Sequence, residues 1–547
     1  MTFKEIIKSI DKKEKLFILY FSLFLILLLL IPYLYGYFNT PAEHYYNPIY
    51  GFSSGDKSVY YSYIEQIKQG NFLLKDLYTS EIQSRQTLNI LWLFIGLFAK
   101  IFHLSVPLVF LLFQIMLTPV LLYLLYLFIS LIFKKKIKRK IALVFVSLSS
   151  GLGFLIAIFS NSFPPDDFNY LPVDLWVAEG FTFTSIFNSP HFIASSALMI
   201  LIFLFSFLAL ENNKIKYSIL SGIFGLLLFN FHPYHVVSVI VILSIYSFIH
   251  ALKNKTSLFY YLKHLSIILI ISAPSIIYHA WLMLNDSITL GKAMQNVCLT
   301  PVVWITIVSY GFIFIGAVIY TAMLLDRKKG LKNLELFLIT WFITQFLLIY
   351  FPLTIQRRLT QGLNISMSIL CLFLLFYIFQ KFPKLKIKTR LDKIILVSLF
   401  ILLFNMSNVF SLINISAEHQ HENWKFLYYI NKERKQALDW LKNNLKEEDT
   451  ILSEYMQGNI IPGITGKSVF IGHGHETVDS ERKYKQMEWF FSDENNDELH
   501  LRFLKQNNIT YITYGASEKE IGNWTPQNKK YLEKVFDNEE VQIYKVL

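Results

Sequence analysis

The sequence predicts a polytopic α-helical membrane protein that carries a small α/β domain outside the membrane. The 547-residue chain is 54% hydrophobic and has a mean hydropathy of +0.42, which is typical of an integral membrane protein. About 11 apolar segments recur along it, and most are long enough to cross a bilayer as helices. After residue 413, polar helical patterns alternate with short apolar runs, which indicates a separate α/β domain.

The apolar segments are separated by connections of alternating charge. They are rich in Leu, Ile, Phe and Val and fall at 16–38, 106–133, 141–159, 192–210, 216–231, 236–252, 264–284, 302–325, 334–351, 363–380 and 394–413. Lys and Arg collect in every second connection, most densely at 134–140 and 381–393. Because positively charged connections stay in the cytoplasm, we expect a multi-pass plasma-membrane protein with its N-terminus inside and its C-terminal domain outside. These loops explain the formal net charge of +12, so nucleic acid is not an expected partner.

One apolar segment, Leu88–Phe102, does not fit this alternation. If it crossed the membrane, the basic run at 134–140 would lie outside and every later connection would be inverted. We therefore interpret it as a re-entrant or interfacial helix on the outer face. This interpretation leaves eleven crossings.

The chain is expected to divide into a transmembrane domain at 1–413 and an extracytoplasmic α/β domain at 414–547. The transmembrane domain includes an outer loop at 39–105 with juxtamembrane helices. Val59, Tyr63 and Ile67 in that loop recur at helical spacing, which predicts an amphipathic helix along the membrane. The α/β domain is predicted to have strands at 450–453, 468–471, 509–514 and 541–546, and helices at 432–445, 480–491 and 497–507.

Asp56 is the first candidate for chemistry, because it lies on the outer loop at the water–lipid boundary. A carboxylate there can act as a general base towards an acceptor hydroxyl or help to hold a metal. The alternative is that Asp56 is the N-cap of the predicted helix.

Arg357 and Arg358 are the second candidates. They stand near the outer end of a membrane segment, where the charge rule disfavours cations. The planar guanidinium suits bidentate phosphate binding, and charges near hydrocarbon are usually functional. The pair is therefore predicted to bind a phosphate, with snorkelling to lipid headgroups as the alternative.

The outer connections also contain histidines and carboxylates. His191, His232 and His235 lie at outer helix ends beside proline, where they can bind substrate, transfer protons or cap helices. Asp166 and Asp167, in an acidic loop that continues to Glu179, are candidate ligands of a divalent metal. No other cofactor is predicted. Residues 472–477 (GHGHET) have two histidines but no third ligand, so a glycine-rich turn is favoured over a metal site.

With these positions fixed, the chain resembles membrane-embedded GT-C-type glycosyltransferases, which take sugars from polyprenyl-phosphate carriers. The resemblance is one of layout: a first helix, an outer loop with an early acidic residue, and a non-crossing apolar segment. It implies that Asp56, in Gly55-Asp56-Lys57-Ser58, is the catalytic residue and that Asp166 and Asp167 correspond to the second acidic motif of the oligosaccharyltransferase branch. The sequence lacks the tryptophan-aspartate signature of that branch, so peptide glycosylation is not implied.

The leading hypothesis is therefore a glycosyltransferase that moves a sugar from a polyprenyl-phosphate carrier to an acceptor on the outer face. The acceptor is a glycan, a lipid or a protein, and the bilayer is the third partner. His191 and His232 are expected to join Arg357 and Arg358 at the lipid-phosphate site. Two alternatives are a flippase or transporter of lipid-linked glycans and a non-catalytic assembly protein. The absence of an internal repeat disfavours transport.

Overall fold

The computed structural model describes residues 2–49, 54–159, 168–328, 330–382, 389–492 and 496–547. The chain forms two compact units. The first consists of Met1–Ile31, Phe113–His279 and Cys298–Ile415, and the second of Pro32–Leu112, Ala280–Val297 and Ser416–Leu547. The predicted domain limits at 413 and 414 remain a prediction.

The apolar segments form helices. Among the described residues, eight helices are long and apolar enough to cross a bilayer, and a ninth span is bent by 67° between Ile394–Phe404 and Met406–Glu418. The shorter apolar helices Ile215–Phe231 and Asn333–Leu348 occupy the other two predicted crossings. The eight are Lys12–Phe38, Val106–Ile132, Lys136–Ile158, Pro190–Asn212, His235–Asn254, Leu258–Asn285, Val303–Leu325 and Gln356–Lys381. The predicted class of polytopic α-helical membrane protein is confirmed.

The helix Pro190–Asn212 forms the core of the first unit, and 89% of its most apolar stretch is buried. It is apolar on all sides, as expected for a helix surrounded by other helices. The Phe203 ring packs against Trp341, with ring centroids 4.6 Å apart. The helices Val303–Leu325 and Leu363–Lys381 approach closely at Gly316, where a Cβ would lie 2.5 Å from the Cys371 sulfur. Short helices at Phe3–Lys8, Val173–Trp176 and Thr182–Asn188, and 3₁₀ turns at Phe168–Tyr170 and Gln356–Thr360, complete the unit.

Two helices of the predicted outer loop, Ser54–Lys68 and Ile90–Ile101, pack together in the second unit. They meet at Gly96, where a Cβ would lie 2.5 Å from Ile67. The second helix has 12 residues and is about 18 Å long. It is therefore shorter than the roughly 30 Å hydrocarbon core, which agrees with the interpretation that it does not cross.

The structure does not support the alternative in which Asp56 is the N-cap of its helix. The helix begins at Ser54, so Asp56 lies within its first turn. Ser and Gly are weak helix formers, and for this reason the periodic pattern becomes visible only from Val59. A carboxylate in the first turn is favoured by the helix dipole.

The described residues of the second unit form seven strands. β1 (His44–Tyr46) and β2 (Tyr429–Asn431) form an antiparallel pair. β3 (Thr450–Leu452), β4 (Ser468–Val469), β5 (Tyr511–Tyr514), β6 (Leu532–Asp537) and β7 (Gln542–Val546) form a sheet of order β4-β3-β5-β7-β6. β3 is parallel to both β4 and β5, whereas β7 is antiparallel to both β5 and β6. The helices are Ser287–Gln295, Glu422–Tyr428, Lys432–Asn444, Tyr455–Thr465, Ser480–Ser492, Asp497–Gln506 and Ala516–Ile521.

The predicted small α/β region after residue 413 is confirmed. Among the described residues, the structure adds five elements to those predicted: Glu422–Tyr428, Tyr429–Asn431, Tyr455–Thr465, Ala516–Ile521 and Leu532–Asp537. All four predicted strands and all three predicted helices are present. The helix Tyr455–Thr465 escaped prediction because it contains Gly458, Pro462 and Gly463, which are poor helix formers. β6 escaped because its sequence, LEKVFD, is half charged and lacks a buried face. The core of the domain is aromatic and includes the buried Phe490, Phe503 and Trp524.

Candidate active site

Asp56 and His473 form a hydrogen-bonded pair in the second unit. His473 Nε2 lies 3.1 Å from Asp56 Oδ1, although the two residues are 417 positions apart in the sequence. The side chain of His473 is 9% exposed and that of Asp56 is 41% exposed. The carboxylate is therefore held from the protein side by a buried imidazole and remains open to another molecule.

The hydrogen bonds of His473 assign its tautomer. Its Nδ1 accepts the backbone N–H groups of His475 and Glu476, each at 3.1 Å. Nδ1 must therefore be unprotonated, and the neutral ring carries its proton on Nε2, which donates to Asp56. Burial lowers the pKa of His473, but Asp56, Glu476 and Asp76 raise it, and the net direction is upward. A donated hydrogen bond favours the ionised form of Asp56.

Close backbone packing places His473. Gly472 lies against Gly458 of the helix Tyr455–Thr465, and a Cβ on Gly472 would come within 2.3 Å of the Gly458 carbonyl. Asn459 Nδ2 donates to the carbonyl oxygen of Gly472 at 2.9 Å and to that of Gly55 at 3.4 Å. The side-chain amide of Asn459 thus connects the backbone just before His473 with the backbone just before Asp56.

We expect Gly472→Ala to lower the stability of the protein by about 1–3 kcal/mol, since the added methyl group overpacks a rigid backbone contact. The matched control is Gly474→Ala, two residues on, where the nearest atom to a Cβ is the Tyr455 hydroxyl at 3.7 Å. That variant should melt like the parent. Thermal unfolding of both variants in nanodiscs checks this, and equal melting temperatures would contradict the packing argument.

A partly buried ammonium group, that of Lys292, supports the same turn. Lys292, in the helix Ser287–Gln295, forms ion pairs with Asp76 Oδ2 at 2.9 Å and with Glu476. Burial lowers the pKa of Lys292, but the two carboxylates raise it, and the net pKa lies well above its ordinary value. Burial raises the pKa of Glu476, yet the Lys292 ammonium group lowers it overall. Lys292 therefore stays charged and fixes Glu476, whose backbone N–H donates to His473.

The helix Ser287–Gln295 makes a second contact with this turn. Gln295 Nε2 donates to the carbonyl oxygens of His475 and Thr477, at 3.0 and 2.6 Å. Lys292 and Gln295 are three positions apart and so share one helix face. This short helix therefore neutralises the Glu476 carboxylate through Lys292 and fixes the backbone of residues 472–477 through Gln295.

The other predicted residues group separately, in the first unit. The ring centroids of His191 and His232 lie 4.8 Å apart. Tyr234 lies 5.0 Å from the His232 ring and is covered by the Arg358 guanidinium at 5.0 Å. Arg357 instead covers Trp176 at 4.0 Å. The structure thus brings His191, His232 and Arg358 together, while Arg357 points to a different aromatic ring.

The predicted metal ligands Asp166 and Asp167 lie outside the described residues. Within the described part of the chain, no group of three or more His, Cys, Asp and Glu side chains is arranged to hold a metal ion. Near Asp56, the carboxylates of Asp76 and Glu476 converge on Lys292, so an ammonium group stands where a cation would be needed. These residues do not fit a metal, and metal binding remains a prediction about Asp166 and Asp167.

Sequence reasoning missed the roles of His473 and Lys292. The composition of residues 472–477 is unusual, but the sequence favours a glycine-rich turn there. No neighbouring residue in the sequence connects this segment to Asp56. Lys292 has one usable sequence signal: it is a lysine in a predicted outer connection, where the charge rule disfavours cations. The same signal singled out Arg357 and Arg358.

No protein-family model matches the sequence, and no curated protein matches it. Solved structures do match over most of the chain. The apo crystal structure of the Archaeoglobus fulgidus oligosaccharyltransferase is 14% identical, with a TM-score of 0.55 over 92% of this chain and 70% of that one. The structure of the same enzyme tethered to an acceptor peptide containing the NVT sequon is 13% identical, with a TM-score of 0.54 over 93% of this chain and 70% of that one. The structure of the A. fulgidus enzyme AglB in complex with an inhibitory peptide and a dolichol-phosphate is 12% identical, with a TM-score of 0.50 over 90% of this chain and 69% of that one.

These similarities define the fold. It is the fold of membrane-embedded GT-C-type glycosyltransferases, and the resemblance noted in the sequence is confirmed at this level. At 12–14% identity, the comparisons do not carry over an activity or any residue's role. The chemistry has to be argued from the side chains.

Proposed function

We propose that the protein is a glycosyltransferase that moves a sugar from a polyprenyl-phosphate carrier to an acceptor hydroxyl on the outer face of the membrane. The observation that carries the proposal is the Asp56–His473 pair, in which a carboxylate that is 41% exposed accepts a hydrogen bond from a buried imidazole. The fold supports it, since the similar oligosaccharyltransferase structures include complexes with a dolichol-phosphate and with an acceptor peptide. The proposed partners are the bilayer, a lipid-linked donor and an acceptor glycan, lipid or protein.

In the proposed mechanism, Asp56 acts as the general base. Its carboxylate takes the proton of the acceptor hydroxyl while the acceptor oxygen forms a bond to the anomeric carbon of the donor. The bond between that carbon and the phosphate oxygen breaks, and its electron pair leaves with the polyprenyl phosphate. His473 orients Asp56 and does not exchange a proton with the substrate.

Arg357, Arg358, His191 and His232 are proposed to bind the phosphate, whose negative charge increases as it leaves. The contacts favour Arg358 as the main ligand, because it covers Tyr234, which packs against His232, and His232 in turn packs against His191. Burial and the neighbouring His191 lower the pKa of His232 well below its ordinary value. A neutral His232 can donate a hydrogen bond to phosphate without opposing the Arg358 cation.

Arg358→Ala is expected to weaken polyprenyl-phosphate binding by about ten-fold or more, because a charge-assisted hydrogen bond is worth roughly 1.5–3 kcal/mol. Arg358→Lys should restore binding only in part, since lysine lacks the bidentate geometry. The matched control is Arg357→Ala, for which we expect the smaller effect. Binding is measured in nanodiscs. If both alanine variants bind like the parent, the phosphate site lies elsewhere.

His473→Ala is expected to lower kcat by roughly 10- to 150-fold, the equivalent of one hydrogen bond to a charged group. His473→Gln keeps an N–H donor near the position of Nε2 and should be partly active. KM should change little in either variant, because His473 acts through Asp56. Steady-state kinetics separate the two constants, and equal activity of the alanine and glutamine variants would contradict a donor role.

The direct test of the proposed function is a transfer assay. Purified protein in nanodiscs is incubated with radiolabelled polyprenyl-phosphate sugars and with extracted envelope glycans, lipids and proteins as acceptors. We expect label to move from the lipid phase to one acceptor class. A second assay follows a fluorescent lipid-linked glycan in liposomes. If the glycan moves between the two leaflets and no sugar is transferred, the protein is a transporter and the proposed enzymatic function is wrong.

A further inference from the structure

Two membrane helices of the first unit begin with lysines and are joined at those ends. They are Lys12–Phe38 and Lys136–Ile158. Lys136 forms an ion pair at 2.8 Å with Asp11, which lies just before the first helix. One turn further on, the ammonium group of Lys140 lies 5.0 Å from the centre of the Phe17 ring. Two segments that are far apart in the sequence therefore meet at the predicted cytoplasmic end of this unit.

A buried arginine fixes this junction from the inside. Arg139 is buried, and its guanidinium donates to the carbonyl oxygen of Phe133 at 2.7 Å and to that of Ser9 at 3.1 Å. It also pairs with the buried carboxylate of Glu14 at 3.4 Å. The arginine thus holds the two segments together, while the lysines around it are exposed. We call five of these exposed lysines the basic end: Lys12, Lys13, Lys134, Lys135 and Lys136.

Exposed apolar side chains follow the basic end along both helices. On the first helix, Leu16, Leu19 and Leu23 are exposed and are spaced as one helical face. Lys12, four positions before Leu16, lies on the same face. The exposed apolar residues at the start of the second helix are Ile137 and Ile141. Because such side chains contact acyl chains in a bilayer, the lysines directly before them lie at the level of the lipid headgroups.

A ligand that fits this surface must combine an anionic group with hydrocarbon chains. The neighbouring carboxylate of Asp11 is paired with Lys136, and that of Glu14 is buried, so the basic end keeps a net positive charge. A soluble anion would leave the apolar faces uncovered, and an acidic protein or a nucleic acid could not enter the hydrocarbon region. Clusters of basic residues directly beside a membrane helix on the cytoplasmic side bind anionic lipid headgroups.

We propose that the basic end is a binding site for an anionic phospholipid such as phosphatidylglycerol. The lysines hold the lipid phosphate, and the exposed apolar faces of the two helices, one on each, suit the two acyl chains better than a single polyprenyl chain. The charge rule predicts only that lysines collect on this side. The contacts of Lys136 and Arg139 bring lysines of two segments to one place. The proposal does not depend on the proposed transfer reaction or on Asp56.

Native mass spectrometry of the full chain in detergent tests this proposal. The protein is titrated with phosphatidylglycerol and, for comparison, with zwitterionic phosphatidylcholine that has the same acyl chains. We expect phosphatidylglycerol to bind about ten-fold more tightly or better. Raising the ammonium acetate concentration should weaken only this binding, because salt screens the charges. Equal binding of the two lipids, or binding of phosphatidylglycerol that does not respond to salt, would overturn the proposal.

Matched variants locate the binding. The double variant Lys12→Gln/Lys13→Gln removes two ammonium groups and leaves the ion pair of Lys136 in place, so it should weaken phosphatidylglycerol binding by about ten-fold or more. Lys12→Arg/Lys13→Arg keeps the charge and should bind like the parent. The matched control, Lys255→Gln/Lys263→Gln, changes two exposed lysines at another predicted cytoplasmic connection and should also bind like the parent. Equal losses in the two glutamine variants would show general charge attraction and overturn the proposal.

Two competitors identify the class of ligand. Glycerol 3-phosphate carries the phosphate without acyl chains and should not displace phosphatidylglycerol. A polyprenyl phosphate, which has one long chain, should displace it only weakly. Displacement by glycerol 3-phosphate would show a site for free phosphate, and tighter binding of the polyprenyl phosphate would assign the basic end to a sugar carrier. Either result would overturn the proposal, whereas a negative transfer assay would not affect it.

Discussion

Asp56→Asn is expected to lower turnover by about 10²–10⁴-fold, the usual contribution of a positioned general base. Asparagine keeps the shape of the side chain and accepts the hydrogen bond from His473, but its amide cannot take up the acceptor proton. Folding and binding of the lipid phosphate should therefore remain nearly unchanged. The measurements are kcat in the transfer assay, melting temperature, and polyprenyl-phosphate affinity in nanodiscs.

The matched control is Asp286→Asn. Asp286 caps the helix Ser287–Gln295 through its side chain, and asparagine is an equally good N-cap. This variant should retain activity. Near-normal turnover of Asp56→Asn would remove Asp56 from the mechanism and leave it as a first-turn carboxylate, worth about 0.3–1 kcal/mol to the helix.

Much of the fold could be predicted from the sequence, because its signals are local. A membrane helix is a continuous apolar run, so each predicted crossing reappears as a helix or a broken helix. The predicted strands follow from short apolar runs between polar segments. The helix Tyr455–Thr465 and the strand β6 carry no such local signal. Their conformations depend on packing, as the contact between Gly458 and Gly472 illustrates.

The candidate site was less predictable, because it depends on contacts between distant segments. Asp56 could be singled out by its position and by the resemblance of the chain to GT-C-type enzymes. Its partner His473 is 417 positions away, and the supporting Lys292 comes from a third segment. No hydrophobic periodicity or residue spacing in the sequence predicts contacts between segments this far apart. Arg357 and Arg358 were equivalent in the sequence, and only their different aromatic neighbours distinguish them.

Lys292→Met is expected to destabilise the second unit by about 1–3 kcal/mol at pH 7, since the carboxylate of Asp76, whose side chain is 5% exposed, loses its ammonium partner. Asp76 and Glu476 would then face each other without the ammonium group between them. The turn at 472–477 should loosen and His473 should lose its fixed position. Melting temperature and hydrogen exchange of the turn amides are the measurements, and exchange in the turn should accelerate most.

The stability lost in Lys292→Met should be smaller at acidic pH than at neutral pH. The folded pKa of Glu476 lies below its ordinary value of 4.5, so its pairing stabilises the parent above pH 4.5 and is lost as the pH falls through the lowered value. The difference between the parent and Lys292→Met should therefore shrink at acidic pH. Lys485→Met is the matched control, because Lys485 pairs with Glu481 on the surface, where the two side chains are 71% and 87% exposed. Exposed pairs contribute little, so equal destabilisation by the two substitutions would show that Lys292 is not a support of the Asp56–His473 pair.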